Sequence, residues 1–104
     1  VIKQVLSRYY QLDIDQPVAG IEPLIAFDEV RDQYLWFQVG WNQQKRVRGI
    51  TAHLRILNGK IWIEEDWTDT GIANDLINAG ISKRDIVLAF HHPEERRLTD
   101  FAIA

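Results

Sequence analysis

Asn58-Gly59 is the feature that most restricts how this chain can fold. Runs suited to strands flank the pair, and a two-residue turn between strands requires positive φ at both central positions, which these two residue types tolerate best. The turn sets a register in which Leu57 faces Lys60, Ile56 faces Ile61, Arg55 faces Trp62, Leu54 faces Ile63 and His53 faces Glu64. Successive side chains leave a strand on opposite sides. Ile56, Ile61, Leu54 and Ile63 therefore share one face, and Arg55, Trp62, His53 and Glu64 share the other. The aliphatic face must be the buried one, because a slip of one residue would exchange the two sets.

The rest of the chain is read outward from this hairpin. Strand-like runs at about residues 22–28 and 33–41 precede those at 47–57 and 60–65, which suggests an antiparallel meander. In the second run Leu35, Phe37, Val39 and Trp41 share a side, leaving Tyr34, Trp36 and Gln38 opposite. Strict alternation from Ile50 back to Arg46 would drive Arg48 and Arg46 into the apolar side, so a bulge is expected at Arg48-Gly49. At the start, Ile2, Val5, Leu6 and Tyr9 recur at helical spacing and predict an amphipathic helix over residues 1–11, ended by the polar linker at 13–20 that contains Pro17.

Beyond the hairpin, Thr68-Asp69-Thr70 supplies capping side chains for a second helix near residues 71–79, with Ile72, Ala73, Leu76 and Ile77 as its stripe and Gly80 as its terminator. Residues 82–85 read as a short capped turn. Residues 86–90 read as an apolar strand buried on both sides, and 99–104 as a candidate edge strand. The sum is an α+β fold: an antiparallel meander of about four to six strands, packed with the N-terminal helix and the second helix.

Size and charge limit the function classes. With 104 residues and 46% hydrophobic content, the chain can build one core but not two, so a single domain over residues 1–104 is expected. The absence of cysteine excludes disulfides and thiolate metal sites, and makes the cytoplasm the default compartment. No stretch reaches the roughly 20 apolar residues of a membrane span. Numbering starts at Val1 without an initiator methionine, which leaves room for residues before it. A net charge of −3, from 12 basic and 15 acidic side chains, argues against a protein that coats DNA by neutralising phosphates.

Three groups of residues could carry chemistry or binding. His53, Glu64, Glu65, Asp66, His91 and His92 form the only dense store of metal-ligand or acid-base groups, but no helix carries two histidines four apart and His53 opposite Glu64 is more simply a cross-strand pair. No metal site, cofactor or catalytic residue is assigned from them, although a metal-dependent nuclease or phosphodiesterase using Glu64, Asp66 and His91 stands as the alternative function. A lysine that would stabilise developing charge is missing close after the carboxylates, and no phosphate-cradling glycine loop or nucleophile elbow occurs. Lys45, Arg46 and Arg48, with Arg96 and Arg97, could contact nucleic acid, a reading the overall charge disfavours. Tyr34, Trp36, Arg55 and Trp62 would cluster on the face opposite the core, and indole and guanidinium groups are preferred interface anchors. A partner or a second copy of the chain would dock there; the competing reading is a second core layer beneath a helix.

Taken in order, Val39-Gly40-Trp41, Arg46-Val47, Asn58-Gly59-Lys60-Ile61-Trp62-Ile63, Asp66, Thr70-Gly71-Ile72-Ala73-Asn74 and Asp85-Ile86-Val87-Leu88-Ala89-Phe90-His91 resemble the XisI-like family, the fdxN element excision controlling factors. The resemblance runs from the first helix to Phe101-Ala102-Ile103-Ala104. It implies a non-catalytic accessory role in cyanobacterial excision of a DNA element, beside a separate recombinase and a companion XisH-like protein of nuclease-like fold. It carries over no catalytic residues. Direct DNA binding as a recombination directionality factor is the further alternative. One position departs from the pattern: Trp67 follows Asp66 where a small residue is expected.

Overall fold

The computed structural model describes residues 1–104. The chain runs α1 (Ile2–Asp15), β1 (Ile21–Asp28), β2 (Gln33–Asn42), β3 (Lys45–Leu57), β4 (Lys60–Asp66), α2 (Ile72–Asn78), a 3-10 turn at Lys83–Asp85, β5 (Ile86–Leu88) and α3 (Pro93–Arg96). The strands form one sheet in the order β1-β2-β3-β4-β5, the first four as an antiparallel meander. The fold is α+β, as expected, but β5 pairs parallel to β4. A parallel neighbour cannot be reached by a tight turn, and α2 lies within the crossover that reaches it.

Asn58 and Gly59 adopt φ of 54° and 75°, the left-handed values that their turn requires. Leu57, Ile56, Arg55 and Leu54 pair with Lys60, Ile61, Trp62 and Ile63 as the turn dictates. The register then slips, so that His53 pairs with Glu65 and not with Glu64. Glu64 is the extra residue of this bulge, and its carboxylate accepts from Arg55 Nε at 2.8 Å.

A second bulge lies in β3. Trp36 pairs with Ala52 but Phe37 pairs with Ile50, which leaves Thr51 over. The slip expected at Arg48-Gly49 thus occurs nearer the centre of the strand. Without it Ile50, Arg48 and Arg46 would follow Leu54 and Ala52 inward; with it all three turn to the other face.

Both long helices pack on one side of the sheet. Ile2, Val5 and Leu6 of α1 and Ile72 and Leu76 of α2 meet Tyr34, Trp36, Ala52, Leu54, Ile61, Ile63 and Ile86 in a single core. α1 continues to Asp15, four residues past its expected end, because Asp13 gains a partner by doing so: its carboxylate accepts from Trp36 Nε1 at 3.1 Å. Ile86 and Val87 are fully buried, but the strand stops at Leu88 and Phe90 is 50% exposed, so burial on both sides holds for only part of the run at 86–90. The C-terminal residues make one parallel bridge, Val87 to Ala102, and not an edge strand. Ser82 caps the 3-10 turn through Oγ, which accepts from Arg84 N.

At the far end of β1, Trp41 N donates to Gly20 O at 2.9 Å. The two segments approach so closely that a Cβ on Gly40 would lie 2.0 Å from Gly20 O and 2.9 Å from the Ile21 Cα, both backbone atoms. Gly40→Ala should therefore lower stability by about 2 kcal/mol or more, read as a fall in the midpoint of chemical denaturation with the m-value unchanged.

Candidate functional site

The outer side of the sheet, away from α1 and α2, carries the candidate site. Trp62 projects from β4 on this side and is half-buried. The Arg55 guanidinium lies 5.6 Å from the centre of its ring and that of Arg96 lies 5.5 Å away. Its indole Nε1 donates to Leu57 O at 3.2 Å, which ties the ring to the end of the hairpin. Arg55 is held in turn by Glu64, and Arg96 by three main-chain oxygens, those of His91, Ala89 and Ile103, at 3.0, 3.1 and 3.3 Å. Two cations are thereby fixed against one aromatic ring, a contact stabilised by the negative potential of its π face.

Tyr34 and Trp36 do not join this cluster. They are 6% and 7% exposed and lie on the helix side, because Tyr34 pairs with Leu54 and Trp36 with Ala52, both core residues. Tyr9 of α1 stacks on Trp36 with ring centres 5.2 Å apart. The expected four-residue surface is thus divided: Tyr34 and Trp36 are core, while Arg55 and Trp62 face outward. Burial pushes the phenols of Tyr9 and Tyr34 above their ordinary range, helped by the hydrogen bond of Tyr9 to Asp75 and by the charge of Asp32 beside Tyr34.

The basic residues form two separate groups. Lys45, Arg46 and Arg48 stand at the tip of the β2–β3 hairpin, where Arg46 lies over Trp41 at 5.2 Å and donates to Gly40 O. Arg55, and with it Arg96, sits ten residues along the strand from Lys45, or about 30 Å. Arg97 is exposed beyond α3. They do not make one continuous basic track.

The metal-ligand candidates are likewise dispersed, each held by another partner. Asp66 accepts through Oδ1 from Thr68 N and Thr68 Oγ1 at 2.9 and 2.6 Å, and through Oδ2 from Ile72 N at 2.7 Å. It closes the turn after β4 and satisfies the first amide of α2, work expected of Thr68-Asp69-Thr70, of which only Thr68 contributes a hydroxyl, to Gly71 N. His53 Nε2 meets Gln33 Oε1 at 2.7 Å; His92 Nδ1 accepts from Glu94 N; His91 lies 3.5 Å from Glu95. No three His, Asp or Glu side chains are placed to share an ion. The metal-dependent nuclease alternative, which required Glu64, Asp66 and His91 around one point, loses its basis.

Trp67, the position that departs from the family pattern, is 73% exposed and donates through Nε1 to Glu65 Oε2 at 2.7 Å. It lines an open cleft with Tyr9, Trp36, Thr51 and residues 68–70. The turn that follows Asp66 accommodates the indole by leaving it in solvent.

The family model described as XisI protein matches residues 1–103. A crystal structure of a XisI-like protein from Anabaena variabilis is similar with a TM-score of 0.92 and 32% identity, covering 99% of this chain and 93% of that one. The fdxN element excision controlling factor XisI from Anabaena variabilis is similar with a TM-score of 0.84 and 46% identity, covering 99% of this chain and 92% of that one. No curated protein matches.

Two substitutions separate structural from surface roles. Trp36→Ala should cost about 3–5 kcal/mol by emptying the core beneath α1, measured by denaturant unfolding. Asp66→Ala should cost about 1–2 kcal/mol, the loss of a helix-capping carboxylate, with amide exchange accelerated first in α2.

Proposed function

The chain belongs to the XisI family, and on that premise we propose that it is a non-catalytic accessory factor in the controlled excision of a DNA element, working by docking on a nuclease-fold partner of the XisH-like kind. The observation that carries this reading is the Trp62 ring with the guanidinium groups of both Arg55 and Arg96 set against it on the outer side of the sheet. Fixed in place before any partner arrives, these groups lose little conformational freedom on binding. A metal-dependent nuclease site gathers carboxylates around its ion. A rigid aromatic beside the Arg96 cation, with Arg55 next to it already paired to Glu64, is complementary to such a surface, and a factor that covers it would restrain the enzyme. No helix of the chain is long and apolar enough to cross a membrane, and the reading places the protein in the cytoplasm beside the DNA. Direct DNA contact is not favoured, because the two basic groups are split and the net charge is −3.

The test is co-purification and titration with the XisH-like protein of the same genome. Trp62→Ala and Arg55→Ala should each weaken the complex by about 2 kcal/mol, a loss of roughly 30-fold, with thermal melting confirming the fold of each variant. Association that is unchanged in both variants removes this surface as the docking site.

A further inference from the structure

Beside the Trp62 cluster, and meeting it at Arg55, lies a second uncovered surface, the outer side of β1, β2 and β3. β2 supplies its central column, Leu35, Phe37, Val39 and Trp41. β1 flanks the column with Glu22, Leu24, Ala26 and Asp28, and β3 flanks it with Arg48, Ile50, His53 and Arg55. Strand pairing arranges these in rows: Glu22, Val39, Arg48; then Leu24, Phe37, Ile50; then Ala26, Leu35, His53; then Asp28, Gln33, Arg55. One flank is acidic at both ends, the other basic at both ends, and the middle is apolar.

We infer that this face is the interface of a homodimer in which two copies stack β2 on β2 about a twofold axis running along that strand. Rotation about such an axis lays the β1 flank of one copy over the β3 flank of the other at the same height. Glu22 then meets Arg48 of the second copy, Leu24 meets its Ile50, and the central column lies on itself. The alternative twofold, running across the strands, lays Glu22 over Asp28 and Arg48 over Arg55. It sets acid on acid and base on base, and like charges across an interface are penalised. Charge therefore selects the first arrangement. Sheets stacked face to face keep their strand directions within about 30°, so the rows remain in step.

The groups needed for this contact are free. Glu22 and Arg48 are exposed and neither enters an ion pair within the chain. Asp28 and Arg55 already hold Arg31 and Glu64, so the pair Glu22 and Arg48 does most of the selecting. Trp41 and Ile50 are 53% and 38% exposed, and Phe37, Val39, Arg48 and Ile50 line an open depression. A contiguous exposed apolar surface rimmed by charge is the mark of an association site. The rotation covers β1 to β3 and leaves β4 beyond the β1 edge of the second copy, so Trp62 and Arg96 stay open, while Arg55, at the last row of the β3 flank, borders both surfaces.

Sedimentation equilibrium on the full chain tests the arrangement. The unmodified protein should dimerise, and Glu22→Arg and Arg48→Glu should each raise the dissociation constant about tenfold or more, since each creates two like-charge contacts across the axis. An equimolar mixture of the two single variants should recover a dimer containing one copy of each, because both contacts are then between opposite charges. Circular dichroism and melting of each variant separate loss of association from loss of fold. A protein that stays monomeric at about 100 μM, single variants that dimerise as tightly as the unmodified chain, or a mixture no tighter than its components would overturn the inference.

Discussion

A strand has two faces, and β3 must change which of them it offers to the core part-way along its length. Leu54 and Ala52 are fully buried, whereas Ile50, Arg48 and Arg46, which continue the same parity, cannot all be. The extra residue at Thr51 resolves the conflict by reversing the phase. Everything at the hairpin end of the sheet depends on that one slip: the guanidinium groups reach water, Ile50 joins the column on β2, and Arg46 comes to lie over Trp41. A central strand that kept strict alternation would bury two unpaired cations, at a cost of several kcal/mol each.

The hairpin at Asn58-Gly59 was legible because a turn with positive φ at both positions admits few residue types, and its register follows by parity. The strand before it was harder. Parity divided β2 correctly into Leu35, Phe37, Val39, Trp41 and Tyr34, Trp36, Gln38, but both sets are apolar enough to be core. The choice was made by partners remote in sequence: Tyr9 stacks on Trp36, and Asp13 accepts from its indole N–H. Tyr and Trp bury well when their polar tips find an acceptor, and the helix side provides acceptors. Leu35, Phe37 and Val39 need none, so hydrophobicity alone favours the wrong face.

Polar side chains show the same limit. Asp66, Glu64 and His53 look like ligands when listed by type, but each is consumed locally: by a turn and a helix amide, by a bulge and its arginine, by a glutamine on the neighbouring strand. The pattern Asp66-Trp67-Thr68 did contain the signal, since an aspartate two residues before a threonine can close a turn through its own carboxylate. The 3-10 turn after Ser82 was readable for that reason. The bulge at Glu64 was not, because nothing local to β4 announces that an arginine opposite will draw the carboxylate sideways.

A sheet covered by helices on one side only must account for its other side. Here that side divides by chemistry into an apolar column with oppositely charged flanks, over β1 to β3, and an aromatic ring with two fixed cations, on β4. The division has a geometric consequence for the two proposals together. If the copies stack on β2, each Trp62 lies two strands from the axis on opposite flanks of the dimer, so the two rings are separated by roughly 20 Å, four strand spacings of about 4.8 Å. Such a dimer would present its docking residues twice with twofold symmetry, and a partner binding both would gain from the effective concentration of the second site.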